Sequence, residues 1–598
     1  MKNVKLYSMA LAALMLGACS SDEVAVDGGQ TAPGWNADGK GYVNLAINLP
    51  TKPNSRAWDE GSNLDDGTPA EYDVKDATLI LFTGTEGTAD GDLTLNSAYS
   101  MDLNFYTEGT TTDQITTTTK ITQEINKIAD DQKVIKALVV LNNNGVFSVN
   151  ASNQLLINNN PYTGKLDELN NALKDVIGGK EIKTTANGGS GLLMANAVMA
   201  DAQGGTVNPA GAKVVGPLVE IDPGSIKKNK ADAEADPAAS IYVERAVAKV
   251  TVTAEDGSLT VGEYEHNKLP YKILGWALDN TNETSKLVRL ADGFDTWKSY
   301  ASTHVTPSPD YRMVGGTAIA AGLYRTYWDK DYNYTGMSAD ATGLNTVGGP
   351  HATIASVLPA DGETAGYCFE NTTDLNNMLE RNLTRVIVKA QFNDGKAFYT
   401  VDDERDTVWT ENDVKKEVAT RLLSQGDNTI YNWLKANVKD KETFTSEDLV
   451  IELSGEAAGK RTVKSVSISD EGKKKLKDES ETLPANTPEL ANQLIALNYY
   501  ADGVSYYPVY IKHFGDSQTP WDPTYNTGST YGDSDADYLG RYGVLRNNWY
   551  EISVTGIKGL GSPNVDEVTG EPVDKVNYYI SVNINVLSWA KRSQSVEL

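Results

Sequence analysis

Few residues in this chain have the type and spacing that chemistry requires. Asp533, Asp535 and Asp537 imitate the opening of a calcium loop, whose ligands alternate along the chain. Tyr538 stands where the turn glycine belongs and Val544 where the closing glutamate belongs, which favours a solvated acidic loop. Gly188, Gly189 and Gly191 lack the lysine of a phosphate loop and follow no clear strand. His266, His304, His351 and His513 are scattered, and no pair has metal-ligand spacing. Cys368, in Tyr367-Cys368-Phe369, reads as a buried inert thiol. Carboxylates are abundant, but none has an acid–base partner nearby in sequence. No catalytic residue, metal or cofactor is expected, and the chain does not read as an enzyme. Two positions remain for covalent chemistry: Cys19 and Arg56.

Lys2 and Lys5 precede the apolar run from Leu6 to Leu16, which only Tyr7 and Ser8 interrupt. The run is shorter than the about 20 apolar residues of a membrane-spanning helix, and it ends in small residues, as a cleaved export signal does. Leu16-Gly17-Ala18-Cys19 resembles the lipobox of bacterial lipoproteins, and Ser20-Ser21-Asp22-Glu23 reads as a polar tether. The expectation is a signal over 1–18 and acylation of Cys19. An ordinary signal peptide followed by a chance cysteine is the alternative.

Arg56 is the only arginine in the first 244 residues, in the polar, proline-containing stretch Thr51 to Gly61. Such segments are where proteases reach. A cut between Arg56 and Ala57 would release what precedes it, including Val43, Leu45, Ile47 and Leu49, which alternate with Asn44, Ala46 and Asn48. Near the other end Ile580, Val582, Ile584 and Val586 alternate with Ser581, Asn583 and Asn585. Both are period-two strands with four aliphatic residues on one face, interchangeable occupants of one apolar groove. Burying four such side chains contributes about 6–12 kcal/mol, comparable to the about 5–15 kcal/mol net stability of a whole domain. Loss of the first strand would expose a groove and a sheet edge that a strand from another copy could fill. Donor and acceptor at opposite ends give a head-to-tail contact that propagates. Spacing alone favours the simpler reading, in which both strands complete their own domains and Arg56 is an ordinary loop residue.

These segments must be positioned by a large, mostly β framework. At 598 residues the chain exceeds one core. Short alternating runs such as Asp76 to Phe82, Val134 to Leu141, Thr384 to Phe392 and Trp549 to Ile557 are separated by turn-rich stretches, which argues for β-sandwich domains. A few short helices interrupt them: Leu166, Leu169, Leu173 and Val176 share a helical face, as do Val414, Val418 and Leu422. Thr487-Pro488-Glu489 opens a third, with Leu490, Leu494 and Leu497. Ile241 to Val252 reads as the opening strand of a second domain, and Lys227 to Ala239 as a linker. The domains expected are therefore 57–239 and 240–575, with a propeptide over 19–56 and a donor tail over 576–598. The 53 basic and 81 acidic residues give a net charge of -28, which argues against a nucleic-acid partner. The aromatic clusters Tyr324 to Tyr334 and Tyr499 to Tyr510 read as core packing more readily than as an adhesive surface.

Several stretches resemble the fimbrillins of Bacteroides and Porphyromonas, specifically the minor-fimbria, Mfa-type subunits among the type V pilins. They are Tyr242-Val243-Glu244-Arg245-Ala246-Val247-Ala248-Lys249-Val250, Gly275-Trp276-Ala277-Leu278-Asp279-Asn280-Thr281 and Arg325-Thr326-Tyr327-Trp328. Tyr367-Cys368-Phe369-Glu370-Asn371-Thr372, Arg546-Asn547-Asn548-Trp549-Tyr550 and the ending Val586-Leu587-Ser588-Trp589 also match. The resemblance implies two transthyretin-like β-sandwich domains and export as a lipoprotein tethered transiently to the outer membrane. It implies cleavage after Arg56 by an arginine-specific surface protease, and a homopolymer in which the C-terminal strand of one copy fills the groove of the next. Tip and anchor proteins of a fimbria, adhesion and biofilm formation are implied too. A surface glycan-binding lipoprotein of a polysaccharide-uptake system would share the lipobox and the sandwiches, and is the competing reading.

Overall fold

The computed structural model describes residues 34–49 and most of the chain between 64 and 589. The longest stretches outside the description are 1–33, 50–63, 103–117, 202–213, 290–313, 335–343, 520–537 and 590–598. Cys19, Arg56, Ala57, the three aspartates Asp533, Asp535 and Asp537, and His266, His304 and His351 therefore lie outside the described residues.

The described residues are mainly β, in several sheets. The first sheet draws on β1 (Lys40–Asn48), β3 (Ala77–Gly84), β4 (Thr94–Met101), β5 (Thr118–Asn126), β6 (Val134–Leu141), β7 (Met194–Asn196) and β8 (Ala239–Arg245). Between β1 and β3 lies the two-residue β2 (Leu64–Asp65), which pairs elsewhere. The sheet runs β4-β3-β6-β7-β8-β1-β5, with Val219–Glu220 added to β6. Its two ends approach each other: the Asn126 amide of β5 donates to the Tyr99 hydroxyl of β4 at 2.9 Å. One curled sheet thus encloses a core as two layers of a sandwich do.

Period-two geometry explains why the central strands are apolar along their whole length. Leu79, Leu81, Val139 and Leu141 face the enclosed core with Val43, Leu45 and Ile47. Ile80, Phe82, Leu138 and Val140 face the opposite way, against α1 (Leu166–Ile177). That helix buries Leu166, Leu169 and Leu173 as the sequence spacing predicts, but Ile177 takes the fourth buried position and Val176 is only partly buried.

The second unit is a two-layer sandwich. Its strands are β9 (Val247–Ala254), β10 (Gly257–Thr260), β11 (Lys268–Asp279), β12 (Asp361–Phe369), β13 (Arg385–Phe392), β14 (Val504–Tyr510), β15 (Asn548–Ile557) and β16 (Ile580–Trp589). One layer runs β2-β16-β15-β9-β12 and the other β10-β11-β13-β14. Val250, Val252, Tyr550 and Ile552 from the first layer meet Trp276, Val386, Val388, Tyr507 and Val509 from the second.

The junction differs from the sequence expectation. The run from Ile241 to Val252 is not one strand of the second unit: β8 belongs to the first sheet, and β9 begins in the second after Ala246. No turn residue marks that crossing, so an uninterrupted apolar run serves two sheets. The expected linker, Lys227 to Ala239, is packed structure containing α2 (Lys230–Ala235), with Ala233 fully buried.

Residues between Val401 and Leu497 form a lobe with its own core. There α3 (Glu411–Leu423) buries Val414, Val418 and Leu422, and it packs with α4 (Thr429–Asn437), α5 (Thr487–Leu494) and the hairpin Leu449–Leu453/Val463–Ile468. The Thr410 hydroxyl accepts from the Asp413 amide at 3.3 Å and caps α3. Leu494 of α5, expected on an apolar face, is exposed, and Ala491 takes the buried position.

Candidate functional site

Residues that sequence reading singled out for chemistry prove structural where they are described. Cys368 is buried, and burial pushes its thiol up to about 12. His513 is buried with Nδ1 2.7 Å from the Tyr550 hydroxyl, against Trp328 and Phe514. Trp328, Tyr500, Tyr506, Tyr507 and Tyr510 are core residues and present no adhesive face. Among the described residues no group of histidine, cysteine and carboxylate side chains is placed to hold a metal ion.

The strand at β1 is different, because it is sealed on every side. Val43, Leu45 and Ile47 have no exposure and Leu49 has 7%. They meet Ile121 and Ile125 of β5, Ile241 and Val243 of β8, and Leu79, Val139 and Leu141 beneath. Along its edges β1 runs parallel to β8 from Leu45 to Asn48 and antiparallel to β5 over its whole length. Its outward residues are covered too: Asn44, Ala46 and Asn48 are 2%, 8% and 9% exposed. The Asn44 side-chain amide donates to the Glu234 carbonyl of α2 at 3.3 Å, and the Asn44 backbone carbonyl accepts from the Ala238 amide at 2.7 Å. Asn48 Nδ2 donates to Ser240 Oγ at 2.9 Å and to the Ile241 carbonyl at 3.2 Å. Tyr42 and Lys227 exchange backbone bonds of 2.8 and 3.0 Å. At Gly41 a Cβ would lie 2.6 Å from Ile226 Cγ2 and 2.7 Å from the Trp35 ring, so only glycine fits without displacement.

The C-terminal counterpart lies at home in the second unit. β16 pairs antiparallel with β15 from Ile580↔Ile557 to Ser588↔Asn548, and on its outer side, among the described residues, with β2 at Leu64↔Ser588 and Asp65↔Trp589. Ile580 is buried there, while Val582 and Ile584 are only partly buried against the core; Val586 pairs through its backbone with Tyr550. β1 and β16 thus occupy different sheets and do not meet.

Sequence reasoning missed what happens just after Arg56. Glu71 is buried in the second unit, with Oε1 2.9 Å from Lys249 Nζ and accepting the Tyr367 hydroxyl proton. Lys249 Nζ also lies 3.6 Å from the Trp549 ring centroid, and Arg245 Nε donates to the Glu71 carbonyl at 3.2 Å. Glu71, on the carboxyl side of the candidate cut, is therefore clasped to the second unit. The roof over β1 and the tight site at Gly41 were missed too, although the small outward residues Asn44, Ala46 and Asn48 were a usable signal.

Residues 498–595 match the family model for the major fimbrial subunit protein type IV, fimbrillin, C-terminal part. This stretch is fimbrillin-like. It contains β14, β15 and β16, so the candidate donor strand falls inside it, and the resemblance read from the sequence is borne out there. No curated protein matches the chain. Among solved structures, a putative cell adhesion protein from Parabacteroides distasonis is similar at 9% identity and TM-score 0.34, over 92% of this chain and 98% of its own. A putative cell adhesion protein from Bacteroides eggerthii shares 12% identity at TM-score 0.32, over 94% and 98%. A fimbrilin from Porphyromonas gingivalis shares 11% identity at TM-score 0.32, over 92% and 99%. Scores this low mark a distant likeness and bear no weight below.

Proposed function

We propose that this chain is a structural, non-enzymatic subunit of a cell-surface fimbria that polymerises by protease-triggered strand exchange. The fimbrillin match over 498–595 supports a fimbrial subunit. One observation carries the finer reading: β1 is enclosed by the first sheet yet lies on the amino-terminal side of Arg56, and β16 repeats its pattern. In this reading the precursor is exported, acylated on Cys19 and held at the outer membrane. An arginine-specific protease cuts between Arg56 and Ala57, and the segment carrying the lipid and β1 leaves. A strand from within 576–598 of another copy then fills the groove, and repetition of this step builds the filament. Tip and anchor proteins complete the fimbria, which serves adhesion and biofilm formation.

Val582 and Ile584 are only partly buried at home, whereas the corresponding sites in the groove are sealed, and that difference favours exchange. Leaving β15 is the opposing cost, and among the described residues β2 holds the outer edge of β16 at two residues. The test is to treat the purified chain with an arginine-specific protease and look for filaments by electron microscopy. Filaments should require both the cut and residues beyond Val576. Normal filaments from an Arg56→Ala chain would refute the scheme, and tight binding of a soluble polysaccharide without processing would favour a glycan-binding lipoprotein.

A further inference from the structure

A strand sealed on every side cannot be replaced unless a wall moves. β1 has the apolar core beneath it, α2 above it, β8 on one edge and β5 on the other. β8 is anchored independently of β1. It pairs with β7 from Met194↔Arg245 to Asn196↔Val243 and continues through Ala246 into β9. Its end is also tied to the second unit, with the Arg245 amide donating to Asn547 Oδ1 at 3.2 Å and Arg289 Nε 3.4 Å from Glu244 Oε1.

β5 has little such support. Among the described residues it pairs with β1 alone, over nine register pairs from Asn48↔Thr118 to Lys40↔Asn126. Its side-chain bonds lead to the same strand: the Tyr42 hydroxyl donates to Glu124 Oε2 at 2.8 Å, and Lys40 Nζ donates to Asn126 Oδ1 at 2.6 Å. The next residue follows suit, with the Lys127 amide donating to the Gly39 carbonyl at 2.8 Å. Without β1, what holds β5 among the described residues is the bond from the Asn126 amide to Tyr99, the burial of Thr119, Ile121 and Ile125, and its packing beside α2 and β4. A strand with one ladder partner and few buried side chains is a low-stability element, of the kind that opens locally.

We propose that β5 is the door of the acceptor groove: it loses its order when β1 departs and re-forms its ladder on the incoming strand, while β8 stays fixed. The inference rests on the strand-removal reading above. It also specifies the guest. The incoming strand carries aliphatic side chains on one face and small ones on the other, because Asn44 lies against α2, Asn48 against β8, and Ala46 between them is covered as well. Ser581, Asn583 and Asn585 of a second copy satisfy that requirement in sequence.

The test is hydrogen exchange on the uncut chain and on the chain cut after Arg56, freed of its leading segment and kept dilute enough to be monomeric. Amides of β5 should exchange roughly a hundredfold faster in the cut monomer, while those of β6, paired on both edges, stay protected. A synthetic peptide spanning Lys40 to Leu49 should restore protection of β5. If β5 keeps its protection in the cut monomer, for example by closing onto β8, the proposal is overturned. Should the cut chain lose protection throughout, an uncut Leu45→Ala chain reads the same door: β5 must gain exchange before β6 and β8, and equal gain in all three overturns the idea. These arms need no filament, so failure of β5 to open and failure of the chain to polymerise are separate results.

Discussion

Glu71 and Lys249 are 178 residues apart in sequence and meet as a buried ion pair, carboxylate to ammonium at 2.9 Å, with Tyr367 donating to the same oxygen. The pair fastens Glu71 to β9, the strand that opens the second sandwich. Removing one partner leaves the other charged and buried, which costs about 3–5 kcal/mol. Glu71→Ala and Lys249→Ala are each expected to lower stability by that order, measured as the urea midpoint of the uncut chain. The double variant should lose less than the sum of the two.

Leu45 tests whether β1 belongs to the precursor alone. Leu45→Ala deletes a fully buried aliphatic side chain and should destabilise the uncut chain by about 2–5 kcal/mol. Filaments grown after cleavage no longer contain that residue, so their resistance to heat should equal that of the unmodified protein. A filament weakened by this change would mean that β1 is retained.

Gly41 is a steric test of the same strand. Gly41→Ala brings a methyl group against Ile226 and Trp35 and should cost about 1–3 kcal/mol in the uncut chain. In an Ile226→Ala background the added penalty should shrink, which a thermal-unfolding cycle on the four proteins would show. An unchanged penalty would place the strain elsewhere.

Stability should also depend on pH through Asp331. Burial and the neighbouring Glu370 charge raise its carboxyl from 3.8 to about 7, against the opposing hydrogen bonds from Asn333 and the charge of Arg546. Raised in the folded state, this acid holds its proton while the unfolded chain has released it. Its contribution to stability is therefore complete below the unfolded value and lost as pH rises towards about 7. Asp331→Asn, which keeps the shape without the titration, should flatten the fall in urea midpoint between pH 5 and pH 7.5. An unchanged slope would assign it to other groups, of which Glu370, also raised by burial, is the nearest.

The parts legible in the sequence were those governed by a local period. The alternation in Val43 to Leu49 and Ile580 to Val586 placed β1 and β16, and the spacing of Leu166, Leu169 and Leu173 placed α1. What could not be read depends on partners remote in the chain. Nothing local to Ala246 says that the chain changes sheets there, because both sheets demand the same apolar alternation. Nothing in Lys230 to Ala235 says that a short polar helix roofs a buried strand, since its role lies in backbone contacts with Asn44. Glu71 looks like any acid of an acidic chain until the fold brings Lys249 and Tyr367 to it.

The lobe between Val401 and Leu497 has one more consequence. Those two residues are register partners in a small sheet beside the sandwich, so the chain enters and leaves the lobe side by side, with Arg405 and Ala458 of the lobe bonded to Leu560, Gly561 and Asn564. Its core is closed by its own helices and hairpin, and β13 and β14 pair without it. Such a cassette is free to lengthen, shrink or change its surface through mutation while the sandwich beneath keeps its register. A binder raised against the lobe would be reading the part of the molecule most easily rewritten.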